Sequence, residues 1–230
     1  MSHDQHQKVD FDLYAEKYEA LLQSQLSFFE GDRSYFTRAK VDILQELMQE
    51  RQPKAILDFG CGIGLSLPFL KAAFPGADVY GSDLSEKSLQ YVRDNIPGVT
   101  ALPDGDLEKK RFDLIFVSCV YHHIHPSLRS EVTKRLVSLL NPGGSLGIFE
   151  HNPYNPVTQR MVSTCEFDED AILLRPAETS RLLQDDGGLK LASKGFYLFF
   201  PGFLKALRGM EKMLRPLPLG GQYFVVASKS

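Results

Sequence analysis

The stretch I-L-D-F-G-C-G-I-G-L-S-L, residues 56–67, sets apolar residues around one aspartate and then glycine at every second position, Gly60, Gly62 and Gly64. Glycine inside regular structure costs roughly 0.5–1 kcal/mol relative to alanine. Three glycines in five residues therefore mean that the backbone adopts dihedrals closed to other residues, or that something approaches it closely. An apolar strand, Ala55 to Phe59, leads into the glycines, and a helical stretch, Leu65 to Phe74, follows as far as Pro75-Gly76.

The same alternation continues downstream. Asp78 to Ser82 reads as a second strand, and Ser85 caps a helix from Glu86 to Asn95. Val99 to Leu102 is a weak third strand and Asp113 to Ser118 a strong fourth. Ser127 to Leu140 reads as a helix that stops at Asn141-Pro142-Gly143-Gly144, with a fifth strand from Ser145 to Glu150. These strands are continuously apolar, as in a parallel sheet covered on both faces, so the expected fold is a doubly wound α/β domain.

Upstream, Phe11, Tyr14, Tyr18, Leu21 and Leu22 recur at helical spacing, and a break at Gly31-Asp32 precedes a second helix, roughly Tyr35 to Glu50. Beyond Glu150 the pattern predicts helices at Tyr154 to Thr164 and Pro176 to Gln184, and strands at Leu189 to Phe200 and Gln222 to Ala227. The last pair is expected to be antiparallel, with an amphipathic segment, Phe203 to Leu214, between them. No linker-like stretch interrupts the chain. The expectation is a tail (1–10) and one domain (11–230), divided into a helical lid (11–50), a binding core (51–152) and an acceptor side (153–230).

The chain has 230 residues, 43% hydrophobic and 24% charged, enough for a sizeable core. A net charge of −3 offers no basic field to draw nucleic acid. Cys61, Cys119 and Cys165 have no paired spacing, which argues against a disulfide framework. The polar start MSHDQHQKVD reads as no leader, and no run reaches membrane-spanning length, so the expected location is cytoplasmic.

In an open α/β sheet ligands bind at the carboxyl ends of the strands, where the glycine loop lies. Asp83 ends the second strand, placed to accept hydrogen bonds from ribose hydroxyls. A helix N-terminus after the glycines is expected to present free N–H groups. The spacing G-x-G-x-G differs from a dinucleotide fingerprint, and a strand carboxylate at Asp58 suits an amino or sulfonium group better than a pyrophosphate.

These residues resemble motif I of the class I S-adenosylmethionine (SAM)-dependent methyltransferases, small-molecule type. SDLS (82–85), FDLIFVSCVYHHI (112–124), LLNPGGSLGIFEHN (139–152) and FDLYAEKY (11–18) are similar to further family motifs in order and spacing. The resemblance implies a Rossmann-like sheet of seven mostly parallel strands, helices on both faces and an N-terminal helical lid. It also implies SAM as cofactor and a small or lipid- or sugar-linked acceptor. Asp58, Gly60, Cys61, Gly62 and Gly64 would line its methionine part, Asp83 would hold the ribose and Leu84 would lie against the adenine. Asp104, or alternatively Asp106, would meet the adenine amino group, although the family pattern is shortened there. Ser118 would offer its backbone near the reacting end, and Tyr14 or Tyr18 would reach the SAM carboxylate.

Methyl transfer from a sulfonium is an in-line displacement, in which a base is needed only if the acceptor must lose a proton. His122, His123 and His151 are the base candidates, against a bland reading in which His122-His123-Ile124 packs beneath the cofactor. The H-H-I-H run does not read as zinc, because no cysteines accompany it and adjacent ligands are unusual, so no metal is expected. HNPYNP (151–156) resembles an amino-methyltransferase motif but stands after the wrong strand, and reads instead as a rigid turn holding Glu150 and His151. FYLFFPGF (196–203) reads as core strand, with an acceptor pocket or a peripheral membrane contact as the functional alternatives. The rival functions are a nicotinamide-dependent oxidoreductase and a non-catalytic SAM-binding partner.

Overall fold

The computed structural model describes residues 33–165, 168 and 170–230. The tail, the helix with Tyr14 and Tyr18, and the Gly31-Asp32 break lie outside the described residues. Strands β1 (Ala55–Phe59), β2 (Asp78–Ser82), β3 (Thr100–Ala101), β4 (Phe112–Ser118), β5 (Leu140–His151), β6 (Lys190–Tyr197) and β7 (Gln222–Ser228) form one sheet. Their order is β3-β2-β1-β4-β5-β7-β6. The first five pair in parallel, while β7 runs antiparallel to both β5 and β6. The chain reverses its winding between β1 and β4, the position at which an open sheet leaves a crevice at its carboxyl edge.

Alternate strand residues point to opposite faces, and both faces are covered. Leu57, Ile115, Val117, Leu146, Ile148 and Val225 share one apolar cluster. Ile56, Leu114, Phe116, Phe149, Phe224 and Val226 share the other, with Leu44 of α1 (Arg33–Leu47) and Leu67 and Leu70 of α2 (Leu67–Ala73). This two-sided burial accounts for strands that are apolar without alternation.

Local signals reproduce β1, β2 and α3 (Glu86–Asn95) to the residue, and Ser85 Oγ accepts the Ser88 N–H at 3.2 Å as the cap. Four expectations need correction. The helix expected over Ser127 to Leu140 is a 3₁₀ turn, Pro126–Leu128, followed by α4 (Arg129–Ser138). Leu140 already belongs to β5, and the expected turn at Asn141 to Gly144 is a bulge within that strand: Phe112 pairs with Leu140, but Leu114 pairs with Ser145. Asp113 secures the bulge, accepting Asn141 Nδ2 at 2.8 Å and the Lys54 and Ala55 N–H groups at 2.8 and 3.1 Å.

The helix expected from Pro176 is α6 (Pro176–Arg181), which loosens into a π turn at Leu182–Asp186. The strand expected to reach Phe200 ends at Tyr197, because Leu198 turns to φ 62° and Glu211 accepts the N–H groups of Leu198, Phe199 and Phe200. The remaining helices are α5 (Pro156–Ser163) and α7 (Glu211–Leu214), the latter after a 3₁₀ segment, Gly202–Met210. Among the described residues no helix is long and apolar enough to cross a membrane.

Candidate functional site

The glycine loop turns at the carboxyl end of β1 with φ of 71° at Gly60, 52° at Gly62 and 80° at Gly64. A Cβ on Gly60 would stand 2.5 Å from Val120 Cγ2, so close approach as well as dihedral excludes a side chain there. A Cβ on Gly62 would meet nothing within 4 Å, so that glycine borders open space.

The loop spends its own donors. Gly60 and Cys61 donate to Ser82 O at 2.8 and 3.0 Å, Gly64 donates to Cys61 O at 2.9 Å, and Gly62 donates to Asp83 Oδ2 at 2.8 Å. These four donors are satisfied within the protein, and α2 has only seven residues. Cys61 packs its thiol among apolar neighbours of α2, and burial pushes that thiol up.

Two carboxylates flank the loop. Asp58 is 2% exposed. Burial, set against the attraction of Lys40, pushes its pKa up to about 8. Asp58 Oδ2 and Ser82 Oγ are the buried side-chain atoms left without a hydrogen-bond partner among the described residues. An unpaired buried acceptor costs about 1–3 kcal/mol, so a ligand that donates to Asp58 relieves a standing penalty. Asp83 accepts Gly62 N–H through Oδ2 and Ser85 N–H through Oδ1 at 2.9 Å, and the Leu84 N–H as well. Leu84 beside it is 69% exposed, an apolar side chain held out in the open.

Asp104, in the 3₁₀ turn Asp104–Lys109, is held by Arg135 of α4 at 2.8 and 3.2 Å, and Asp106 pairs with Lys109 at 2.5 Å.

A polar cluster occupies the carboxyl ends of β4 and β5 and the amino end of the antiparallel β7. The buried Lys40 of α1 donates to Ser118 Oγ at 2.6 Å and lies 3.7 Å from Cys119 Sγ. Cys119 turns to φ 57° and receives Gln222 Nε2 at 3.5 Å. Burial alone would raise the Cys119 thiol, but Lys40 and His151 bring it down to about 6. His151 Nδ1 faces Gln222 Nε2 at 3.4 Å, and its contact with Cys119 raises its pKa against burial.

Next to it, Glu150 Oε1 accepts the N–H groups of Val120 and Tyr121 at 3.0 and 2.7 Å, and Oε2 meets His122 Nδ1 at 2.6 Å. Asp168 stands on the other side, with Oδ1 3.3 Å from His122 Nε2 and 3.5 Å from His123 Nε2. Burial alone would lower His122, yet the Glu150 and Asp168 carboxylates raise it, while burial and the His122 charge push His123 down to about 4.

The turn at HNPYNP is rigid as expected: buried Asn152 donates to Pro218 O and Gly220 O and accepts the Tyr154 N–H at 3.0 Å.

The structure thus brings Asp58, Gly60, Gly62, Asp83 and Leu84 together at the carboxyl ends of β1 and β2, and Ser118, His122, His123 and His151 to the adjoining cluster. Asp104 sits in an ion pair, and Tyr18 lies outside the described residues. Sequence reasoning missed Lys40, Cys119, Asp168 and Gln222. Lys40 lies between two apolar helix residues, and Asp168 sits in the acidic run 166–170, so neither had a local signal.

Residues 57–146 match a family model described as a methyltransferase domain. The chain is 32% identical over 123 residues to a trans-aconitate 2-methyltransferase from Methylobacterium radiotolerans, covering 52% of this chain and 45% of that protein. It is 31% identical over 119 residues to a malonyl-[acyl-carrier protein] O-methyltransferase from Halalkalibacterium halodurans, covering 46% and 43%. The chain therefore spans less than half the length of these curated relatives. A plantazolicin methyltransferase solved with S-adenosylhomocysteine superposes with a TM-score of 0.61 at 18% identity, covering 90% of each chain, which shows a shared fold.

Proposed function

This chain carries a class I SAM-dependent methyltransferase domain, and from that premise we propose that it methylates a carboxylate oxygen of a small acid. The observation that carries the donor half is the orphaned Asp58 Oδ2 beside a glycine loop in which Gly60, Cys61, Gly62 and Gly64 already spend their N–H groups within the protein. Such a site suits a cation and gives a phosphate little to bind. When bound, SAM supplies an electrophilic methyl group on a sulfonium. Asp58 receives the ammonium of the methionine part, and the Gly60–Gly64 loop lets that part approach. Asp83, oriented by its backbone hydrogen bonds, would accept the ribose hydroxyls, and Leu84 would cover the adenine. Asp104, held still by Arg135, keeps lone pairs for the adenine amino group.

The remaining chemistry is alignment and exclusion of water. Ser118 marks the reacting end, where the buried Lys40 ammonium supplies a fixed positive charge for an anionic acceptor. A carboxylate arrives ionised and needs no base. That suits the three histidines proposed as bases, each of which has a ring nitrogen facing a protein partner. The relatives' names, trans-aconitate and malonyl, also specify acids.

The test is transfer of labelled methyl from SAM to a panel of di- and tricarboxylic acids and malonyl thioesters, with amines and phenols alongside. The expected label is a methyl ester, released as methanol by mild base. Label confined to base-stable amines or ethers overturns the reading. His151→Asn is expected to keep activity within about tenfold, whereas loss of a working base costs about 10²–10⁴.

A further inference from the structure

We propose that His122, His123 and Asp168 form a binding site for one divalent metal ion of the zinc class. One ligand atom from each of the three lies within 4.8 Å of the others. Zinc bonds of about 2.0–2.2 Å to imidazole and carboxylate set the edges of a coordination tetrahedron at about 3.4 Å. The Asp168 Oδ1 edges, 3.3 Å to His122 Nε2 and 3.5 Å to His123 Nε2, have that length.

The surroundings are those of a held ligand set. Glu150 Oε2 accepts a hydrogen bond from His122 Nδ1–H at 2.6 Å in the tautomer that leaves Nε2 as the coordinating atom. A carboxylate behind a ligating histidine fixes both its tautomer and its orientation. Asp168 comes from a distant segment, yet its position is tied to the histidines. Ile172 N–H donates to His122 O at 2.8 Å, and Ala171 N–H donates to Asp168 O at 2.9 Å. Buried Arg129 then clamps both sides, donating to Ile124 O at 3.0 Å and Ile172 O at 2.6 Å, and pairing with Glu178 at 2.7 Å.

Charge points the same way. The Glu150 and Asp168 carboxylates converge on His122, and positive charge between them offsets their repulsion. A proton on His122 serves one ring only. Two rings whose nitrogens both face one carboxylate oxygen are served together by a metal ion. The ligands grade from buried to open, with side-chain exposures of 1% at His122, 14% at Asp168 and 32% at His123. A fourth position is thus left on the open side for water or an acceptor oxygen. Adjacent histidines looked wrong for zinc in the sequence because the third ligand is more than forty residues away.

The test is titration of Zn²⁺, and of Co²⁺ as its spectroscopic substitute, into the tag-free full chain. One ion per chain is expected, with a visible Co²⁺ absorption band of tetrahedral type. His123→Ala and Asp168→Asn should each weaken binding by more than about tenfold, at unchanged circular dichroism. His3→Ala/His6→Ala and His125→Ala should leave it intact. Absence of a stoichiometric ion, or unchanged affinity in both ligand variants, overturns the proposal. Because the readout is metal binding itself, it does not depend on carboxylate methylation being correct.

Discussion

At the scale of the residue, Asp58 makes opposing demands on stability and binding. Its pKa stands at about 8 in the folded chain, against 3.8 ordinarily, because burial disfavours the charge. A folded-state pKa raised in an acid means that the folded chain holds its proton more tightly than the unfolded one. Stability therefore falls as pH rises from about 4 to about 8 and levels above that. Asp58→Asn, which cannot ionise, is expected to melt higher than the parent, by a margin that widens across this window and then stays constant. The same substitution should abolish SAM binding. In the parent, SAM affinity should rise with pH towards about 8, and binding near neutrality should release close to one proton. Calorimetry in two buffers of different ionisation enthalpy measures that proton. A margin that is flat with pH, or no proton release, removes Asp58 as the buried acceptor of the ammonium.

At the scale of the element, the glycine loop separates two roles that the sequence could not separate. Gly60 faces Val120 and Gly62 faces open space, yet both have positive φ. Gly60→Ala bears strain and collision together and is expected to cost about 2–3 kcal/mol. Gly62→Ala bears the strain alone, about 1 kcal/mol, but sends a methyl group into the pocket. Thermal melts should therefore rank Gly60→Ala as less stable, and SAM titration should show Gly62→Ala losing more affinity than its melt predicts. Equal ranking in both measurements would undo the distinction. The loop itself was legible because glycine spacing, strand and cap are all local signals. The bulge in β5 was not: Asn141-Pro142-Gly143-Gly144 has turn chemistry, and only pairing with β4, anchored by Asp113, keeps it inside a strand. The cluster of Lys40, Ser118, Cys119 and Gln222 was equally hidden. Lys40 and Ser118 are 78 residues apart in sequence, and no local period reports a contact that only the closed sheet creates.

At the scale of the whole molecule, the reversal of winding between β1 and β4 sets the glycine loop beside the polar ends of β4, β5 and β7. A donor held at the first would thus meet an acceptor held at the second. Sheets of this kind serve dinucleotides as readily as sulfonium cofactors, so topology alone does not choose between them. The choice rests on charge. Gly60, Cys61, Gly62 and Gly64 donate to Ser82 O, Cys61 O and Asp83, and Asp58 adds a carboxylate where a pyrophosphate would have to lie. Ligand binding to the folded state alone stabilises by about 2.7 kcal/mol at a hundred times Kd. For a chain of this size each kcal/mol moves Tm by about 2–4 °C. Saturating SAM or S-adenosylhomocysteine should accordingly raise Tm by about 5–10 °C, and NAD at the same concentration should leave it unmoved. A shift with NAD and none with SAM would mean that the loop donors rearrange to receive phosphate. The hydrogen bonds from Gly60 and Cys61 to Ser82 would then have to break to admit the ligand.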